Sequence, residues 1–423
     1  MTAIKKVIKA LKVKDIRKRI LFTLGILVVF RILAAITTPG IPRDALQQMF
    51  GEGTFSDLMT TVSGAAFENA SVIAIGLGPY INASVILQLL GSVVPALEQL
   101  QQEGERGRKV INQYTRFLAV PLSILQSFVI YSILRSQNLV GVLETVDLIA
   151  MIATMTAGSM LLVWLGELVQ ESGVGNGSSV IIFAGIMASL PGSIAQNFGV
   201  VNPNQLILLG VGSIVIVAVI ILFTEAERKI KVQYAKRVRG RKTYGGGESH
   251  IPLRINTAGV MPVIFAVSLL SFPQVIARFF LTAKSEQIQN IAGKIVTFLN
   301  ADNAYYFITY FVLIMLFSFF YTFVVFKPEE VADNLKKSGG FIPGIRPGKE
   351  TAEYLFKVLL RLTTVGSIFL AFIAILPILV QKFSDIGALA IGGTSLLIVI
   401  SVVLDVLRQI ESMSVTRSYE KYR

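Results

Sequence analysis

A long uncharged segment, residues 172–224, reads SGVGNGSSVIIFAGIMASLPGSIAQNFGVVNPNQLILLGVGSIVIVAVIILFT and contains no Asp, Glu, Lys or Arg. Residues 69–97 carry no charged side chain either. About 20 consecutive apolar residues are enough for a helix to cross the hydrocarbon core of a bilayer. A water-soluble fold could not bury this much uninterrupted apolar chain, so we infer that these segments lie in lipid.

The composition of the whole chain agrees with a membrane protein. Of the 423 residues, 53% are apolar and 15% are charged, and the mean hydropathy is +0.67. Soluble proteins carry about 25% charged residues. The chain has no cysteine and a single histidine, His250, which excludes disulfides, thiolate chemistry and multi-histidine metal sites. We therefore expect no metal, no cofactor and no catalytic residues.

Apolar segments of suitable length recur along the chain and predict about ten membrane-spanning helices. Lys and Arg concentrate in the loops that share a side with the N-terminus, and the positive-inside rule makes that side cytoplasmic. We expect a basic cytoplasmic segment at 1–19, a cytoplasmic tail at 410–423 and a multi-pass chain between them. The approximate span cores are 20–36, 70–92, 117–134, 148–166, 178–198, 205–224, 257–277, 303–326, 358–379 and 387–407.

Two long loops on the predicted cytoplasmic side, 225–256 and 327–357, hold much of the basic charge. In the first loop, apolar and polar residues alternate on both sides of Gly245-Gly246-Gly247, which predicts a β-hairpin standing off the membrane. The charge has two interpretations. Either the loops anchor the topology beside anionic headgroups, or they dock a large acidic or polyanionic partner.

A short pattern, G-x-x-P-x-I, recurs at the start of the second and seventh predicted spans. It occurs as Gly76-Leu77-Gly78-Pro79-Tyr80-Ile81 and as Gly259-Val260-Met261-Pro262-Val263-Ile264. With five spans each, residues 20–200 and 201–409 would form inverted repeats, and broken helices at matched positions of such repeats point to a pathway between them. Because Gly and Pro are common in membrane helices, coincidence stays open as an explanation.

Two further features bear on the kind of pathway. Residues 55–68 are moderately apolar but too short to cross the bilayer, and they fit either a re-entrant plugging segment or an amphipathic helix on the outer surface. Within the spans, Arg31 is the only clear mid-span charge. Ion-coupled transporters usually carry ionisable groups at mid-depth, so this scarcity favours a channel over a transporter.

Several motifs, in order along the whole chain, resemble the SecY family of channel subunits of the bacterial protein translocase. The motifs are GPYINAS at 78–84, GNGS at 175–178 with IFAGI at 182–186, AGVMP at 258–262, FIPGIRPG at 341–348 and GGTSLLI at 392–398. The resemblance runs from the basic N-terminus to the C-terminal tail and covers all the predicted spans.

The resemblance implies an all-α membrane protein of about ten transmembrane helices, arranged as two pseudo-symmetric inverted five-helix halves around a central pore. A ring of aliphatic side chains would narrow the pore, and it can dewet to block ions without binding any particular passing sequence. On spacing alone, without the resemblance, these residues would be interpreted as core or lipid-facing. The ring residues, by motif, are Leu77, Ile81, Ile182, Ile186, Ile264 and Ile398. A plug would lie within 55–68 and include Leu58, Met59, Thr60, Thr61, Val62, Ser63, Gly64, Ala65 and Ala66.

The same resemblance implies a lateral gate that opens to lipid between the second and third spans on one side and the seventh and eighth on the other. Gln88 and Asn256 match polar positions near the gate, where an interhelical hydrogen bond is their default role. The basic loops would dock the SecA ATPase or the ribosome and its RNA. The docking residues would be Arg239, Arg241, Lys242 and Arg346. The other implied partners are SecE and SecG subunits, nascent chains, signal peptides and anionic lipids.

We therefore predict a passive protein-conducting channel in the bacterial plasma (inner) membrane, with both termini cytoplasmic and no enzymatic activity. It would pass unfolded secretory polypeptides and release membrane helices sideways, driven by SecA, a translating ribosome or the membrane potential. One alternative is an inverted-repeat secondary transporter for small solutes. Another is a membrane-embedded hydrolase, which is disfavoured because the candidate nucleophiles have no plausible base nearby in the sequence.

Overall fold

A computed structural model gives the fold of most of the chain. The predicted plug at 55–68 and Arg241 lie outside the described residues, and Arg239 and Lys242 are described in their backbone only. The described residues are 13–41, 70–136, 140–141, 143–197, 203–234, 237–239, 242–244, 247–281, 285–300, 303–384 and 393–420.

Helices make up most of this described chain. The helices of the N-terminal part are α1 Lys14–Ala35, α2 Gly78–Val93, α3 Pro95–Gln102, α4 Glu105–Ser136, α5 Thr145–Ser172, α6 Gly177–Asn197 and α7 Pro203–Glu225. Those of the C-terminal part are α8 Met261–Phe280, α9 Glu286–Phe298, α10 Ala304–Val325, α11 Pro328–Lys337, α12 Lys349–Ser384 and α13 Gly393–Glu420. Short strands lie in the basic loops: β1 Glu227–Tyr234, β2 Arg237–Arg239, β3 Lys242–Tyr244, β4 Glu248–Arg254 and β5 Gly340–Phe341.

The predicted spans all overlap helices of this set. Within the described ranges, five helices are long and apolar enough to cross a membrane, or six if α2 and α3, which meet at a bend of 106°, form one broken span. The fold is therefore that of a mostly helical, multi-pass membrane protein. The arrangement of ten spans in two inverted halves stays a prediction.

The second predicted span, 70–92, is helical only from Gly78 onward. The residues before Gly78 form turns, and Gly76 has a φ of 65°, which side chains with a Cβ rarely adopt. Pro79 is the second residue of α2, where its missing N–H is not needed for helix hydrogen bonds. The helix thus begins where the Gly and Pro of the repeated pattern place it.

The non-helical segment 70–77 is buried inside the protein. The N–H of Val72 donates a hydrogen bond to the carbonyl of Ile36 over 2.9 Å, and Oγ of Ser159 donates to the carbonyl of Gly76 over 2.9 Å. Irregular backbone at membrane depth is tolerated only within protein or beside a wet cavity, because lipid offers it no hydrogen bonds. The packing of α1 and α5 around this segment meets that condition.

The chain forms two compact units. In the first unit, neighbouring segments approach each other closely only because glycine has no side chain. A Cβ on Gly158 of α5 would overlap the carbonyl oxygen of Val72, and one on Gly177 of α6 would overlap that of Gly166 in α5. The first unit contains Met1–Asn202, Val267–Phe307 and Pro377–Arg423, and the second contains Pro203–Ala266 and Ile308–Leu376.

The two basic loops fold together in the second unit. β1 pairs antiparallel with β4, with Ile230 opposite Ile251, which confirms the predicted hairpin. The other edge of β1 pairs with β5 from the second loop, and we call the order β4-β1-β5 the loop sheet. One hydrophobic core serves both loops and consists of Ile230, Val232, Leu253, Leu335, Ile342, Leu355 and Val358. The shared core makes the two loops a single body, which the sequence patterns did not predict.

Candidate functional site

The six aliphatic residues predicted to form a pore ring are all buried. Their exposed fractions lie between 1% and 6%. Five of them belong to the first unit and Ile264 belongs to the second. The six are Leu77, Ile81, Ile182, Ile186, Ile264 and Ile398.

The helices that carry three of these residues pack against each other. Ile182 and Ile186 lie on α6 and Ile398 lies on α13, and α6 contacts α13. The turn before α6 holds this pair together, because the N–H of Gly175 donates a hydrogen bond to Oε1 of Gln409 on α13. Gly175 has a φ of 97°, which favours glycine. Gln409 therefore fixes the start of α6 to α13.

The same turn, 173–177, is tied to α1 as well. Nη1 of Arg19 donates to the carbonyl of Gly173 over 3.4 Å, and the N–H of Val174 donates to Oγ1 of Thr23 over 3.0 Å. The side chain of Val174 packs in a small hydrophobic core with residues of α1 and α13. Two segments that are distant from α6 in sequence, α1 and α13, therefore set its position.

The remaining ring residues lie at the first turns of their helices. The N–H of Ile81 donates to the carbonyl of Leu77 over 2.9 Å at the start of α2. In the second unit, the N–H of Ile264 donates to the carbonyl of Val260 over 3.3 Å at the start of α8. The repeated pattern thus places one isoleucine at the same position of two helices.

A small polar cavity lies between α2, α4 and α8, within the first unit. Its volume of about 10 Å³ is close to what one water molecule needs. Oγ of Ser268 has no hydrogen-bond partner among the residues that the structure describes. Sequence patterns do not reveal this site, because its polar residues lie in the mainly apolar runs of three different spans. The cavity is lined by Gly78, Asn82, Gln126, Ser268, Ser271, Phe272 and Val275.

The predicted gate residues Gln88 and Asn256 do not line this cavity. Nε2 of Gln88 donates to Oγ of Ser84 on the same helix over 3.2 Å. Oδ1 of Asn256 is buried and finds no hydrogen-bond partner within the described part of the chain. Gln88 belongs to the first unit and Asn256 to the second, and a role at a gate stays a prediction for both.

An ion pair joins α4 to α5. Nε of Arg116 lies 2.7 Å from Oε1 of Glu167, and the two side chains are 52% and 22% exposed. Ionisable residues within membrane helices are costly unless they are paired or reach the interface. The pair is not evident from the sequence, which shows only that Glu167 lies near the end of its predicted span.

Arg346 is the predicted docking residue whose side chain is described. That side chain is 87% exposed, and Nη1 lies 3.8 Å from a carboxylate oxygen of Glu350. A tight turn precedes it, closed by the N–H of Ile345 donating to the carbonyl of Ile342 over 3.0 Å. Oγ1 of the buried Thr351 donates to the carbonyl of Arg346 over 2.8 Å. The backbone is held from both sides while the guanidinium projects into solvent.

Basic residues also mark the hairpin. Arg239 and Lys242 are paired across the ladder between β2 and β3. On β1, the exposed Lys229 and Lys231 alternate with residues of the shared core, as the period of a strand requires. Lys229 and Lys231 therefore lie on the face of the loop sheet that points away from its core.

Comparison with known proteins identifies relatives of this chain along nearly its whole length. The SecY family model matches residues 71–407. The chain belongs to the SecY family. The protein translocase subunit SecY of Streptomyces griseus is 42% identical, over 98% of this chain and 98% of its own. The SecY subunit of Haemophilus influenzae is 40% identical, over 96% of this chain and 93% of its own.

Solved structures of SecY and Sec61 channels share the fold. One is a SecY protein whose plug domain stabilises the closed state of its translocation channel. It superposes with a TM-score of 0.69 at 20% identity, over 94% of this chain and 92% of that one. Sec61 from a canine ribosome–channel complex gives a TM-score of 0.61 at 17% identity, with the same coverage. A mostly helical SecY-family architecture is therefore shown over nearly the whole chain.

Proposed function

We propose that this chain is the channel subunit of a protein translocase and that it passes unfolded secretory polypeptides across the bacterial plasma membrane. The observation that carries the proposal is its similarity, at about 40% identity over nearly the whole chain, to translocase subunits of the SecY family. Such a subunit is a channel and not an enzyme. The comparisons give no support to a solute transporter.

The conduction path in this proposal runs between two inverted five-helix halves and through the aliphatic ring of Leu77, Ile81, Ile182, Ile186, Ile264 and Ile398. The burial of all six side chains and the packing of α6 on α13 support it. A ring without charges or hydrogen-bonding groups can exclude ions by dewetting and lets many sequences pass. Residues 55–68 would plug the outer side of this ring.

A lateral gate would open between α2 and α4 on one side and α8 and α10 on the other, releasing signal peptides and membrane helices into lipid. The polar cavity that Asn82, Gln126 and Ser268 line among α2, α4 and α8 supports this location. Polar contacts between membrane helices contribute about 1 kcal/mol each, which favours closure but permits opening. Gln88 and Asn256 would add to the same balance.

The loop sheet would dock the motor or the ribosome on the cytoplasmic side, where both termini would lie. The exposed Arg346 and the folding of both basic loops into one body support a docking role. In this proposal Arg239, Arg241 and Lys242 approach ribosomal RNA, and SecA, SecE, SecG and anionic lipids are the other partners.

Photo-crosslinking tests the conduction path. A photoreactive residue is placed at Ile182 or at Ile398 in the reconstituted chain with SecE, SecA and ATP, and a secretory precursor is stalled midway by a folded domain. We expect both positions to crosslink to the precursor, whereas a control at Trp164, which is 55% exposed on α5, does not. A precursor that crosses without touching either position would overturn the assigned ring. Failure of any precursor to engage would overturn the function itself.

A further inference from the structure

α9 is an amphipathic helix with an exposed apolar stripe. The stripe consists of Ile288, Ile291, Ile295 and Phe298, whose spacings of three, four and three residues place them on one face of the helix. Their exposed fractions lie between 37% and 61%. Large apolar side chains concentrated in this way on a surface indicate a contact that the isolated chain does not show.

The other faces of α9 have different surroundings. Ala292 and the adjoining Leu299 are buried against the protein, at 3% and 8% exposure, and lie beside the stripe. Asn290 and Lys294 are exposed on the opposite side of the helix. The helix therefore has one flank on protein, one apolar flank uncovered by the described residues, and one polar flank.

The position of α9 along the chain determines which ends of α8 and α10 it connects. β4 leads into α8, α9 follows α8, and the chain then returns through α10 to α11 and the loop sheet. α8 and α10 are both long and apolar enough to cross a membrane. α9 therefore connects the ends of α8 and α10 that are opposite to the loop sheet.

The apolar stripe continues into an exposed apolar row on α10. Phe298 stacks on Tyr305 in the first turn of α10, with ring centroids 5.5 Å apart and planes inclined by 20°. Tyr305 begins a row on α10 with Ile308, Val312 and Leu316, and these four side chains are 53% to 61% exposed. Because α10 is long and apolar enough to cross a membrane, we expect this exposed row to face acyl chains. The stripe of α9 extends that surface around the end of the span.

We propose that α9 lies flat in the membrane interface opposite the loop sheet, with its apolar stripe in the acyl chains and its polar flank toward water. The partner of this face is the lipid surface itself. Interfacial helices have this division of faces, and aromatic residues such as Tyr305 concentrate at the same depth. The polar flank carries one acidic and one basic residue, Glu286 and Lys294, so apolar burial rather than attraction to anionic headgroups drives the contact. In this position α9 fixes the depth of the adjoining ends of α8 and α10.

Tryptophan fluorescence tests the proposal in the full-length chain reconstituted in lipid vesicles. Trp164 is the only tryptophan, so the Trp164→Phe variant has no tryptophan fluorescence of its own. Into it we introduce Ile291→Trp on the stripe and, as a matched control, Asn290→Trp on the polar flank. We expect the first to emit at shorter wavelength and to be quenched by bromines near the headgroup end of the acyl chains but not by aqueous iodide. The second should show the reverse, and the unmodified chain provides the reference for a tryptophan exposed on a span.

Two results would overturn the proposal. Equal quenching of both variants by iodide would place the stripe in water. An emission from Ile291→Trp that neither quencher reduces would show that protein covers the stripe, either a second copy of this chain or a partner subunit. The measurement needs no translocation activity, so its outcome is independent of the proposed function.

Discussion

Gly76 and Gly259 have the same left-handed backbone conformation, with φ of 65° and 66°. In each case a helix begins two residues later, and a proline is the second residue of that helix. The two glycines lie in different compact units. The G-x-x-P-x-I pattern therefore specifies the same local structure twice, which supports an internal repeat and weighs against coincidence.

Gly259→Ala should destabilise the protein through backbone strain alone. An added Cβ would meet no atom of the described residues within 4 Å, so the expected cost is that of the left-handed conformation, about 1–2 kcal/mol. Thermal unfolding of the purified chain measures this as a lower midpoint. Gly210→Ala, also in open space but on helix α7, is the matched control and should not lower the midpoint. Equal midpoints for the two variants would contradict the strain argument.

Gln409→Leu should loosen the attachment of α6 to α13. Without the side-chain oxygen, the N–H of Gly175 loses its acceptor, and an unpaired buried donor costs about 1–3 kcal/mol. Because α6 carries Ile182 and Ile186, we expect a raised ion leak through the reconstituted channel without substrate. Gln409→Glu keeps an acceptor oxygen and should leak less than Gln409→Leu. A Gln409→Leu channel as tight as the unmodified one would refute the role of this bond.

The ion pair between Arg116 and Glu167 should contribute measurably to stability. A double-mutant cycle with Arg116→Gln and Glu167→Gln should give a coupling free energy of about 0.5–1 kcal/mol. Lys357 and Glu353 form a comparison pair, since their charged atoms are 3.8 Å apart and both side chains are more than 70% exposed. We expect that pair to show a smaller coupling. Similar couplings would mean that the short distance and partial burial of the first pair add nothing.

Arg346→Ala should impair engagement of the motor without altering thermal stability, because its side chain is exposed and contributes little packing. Loss of one charged contact costs about 1.5–3 kcal/mol, or more than tenfold in affinity. SecA binding to the reconstituted chain measures this. Lys349→Ala, an equal loss of charge three residues away, is the control and should have a smaller effect.

Thr351→Val should produce a weaker form of the same defect. It removes the hydrogen bond to the carbonyl of Arg346 while the guanidinium remains, so the arginine is less well positioned. We expect SecA affinity between those of the unmodified chain and Arg346→Ala. An affinity equal to that of the unmodified chain would show that the turn needs no such support.

Local sequence patterns were sufficient for a large part of the fold. The apolar runs predicted where helices lie, the period of two predicted the hairpin of β1 and β4, and Gly76 with Pro79 predicted a break in the second span. Each of these features depends on residues close together in the chain. Lipid as a solvent also imposes one simple rule, that the backbone must satisfy its own hydrogen bonds, and this rule makes apolar runs easy to interpret.

The composition and hydropathy of the chain therefore settled that it is a multi-pass membrane protein, and its motifs were enough to recognise the family. The tertiary structure decided which distant residues come together. Ser268 lines one cavity with polar residues of two other helices, Gln409 contacts the turn before α6, Arg116 pairs with Glu167, and the second basic loop pairs with β1. A lone polar residue in an apolar run has the same local pattern whether or not it finds a partner. Only the packing of segments from distant parts of the chain distinguishes the two cases.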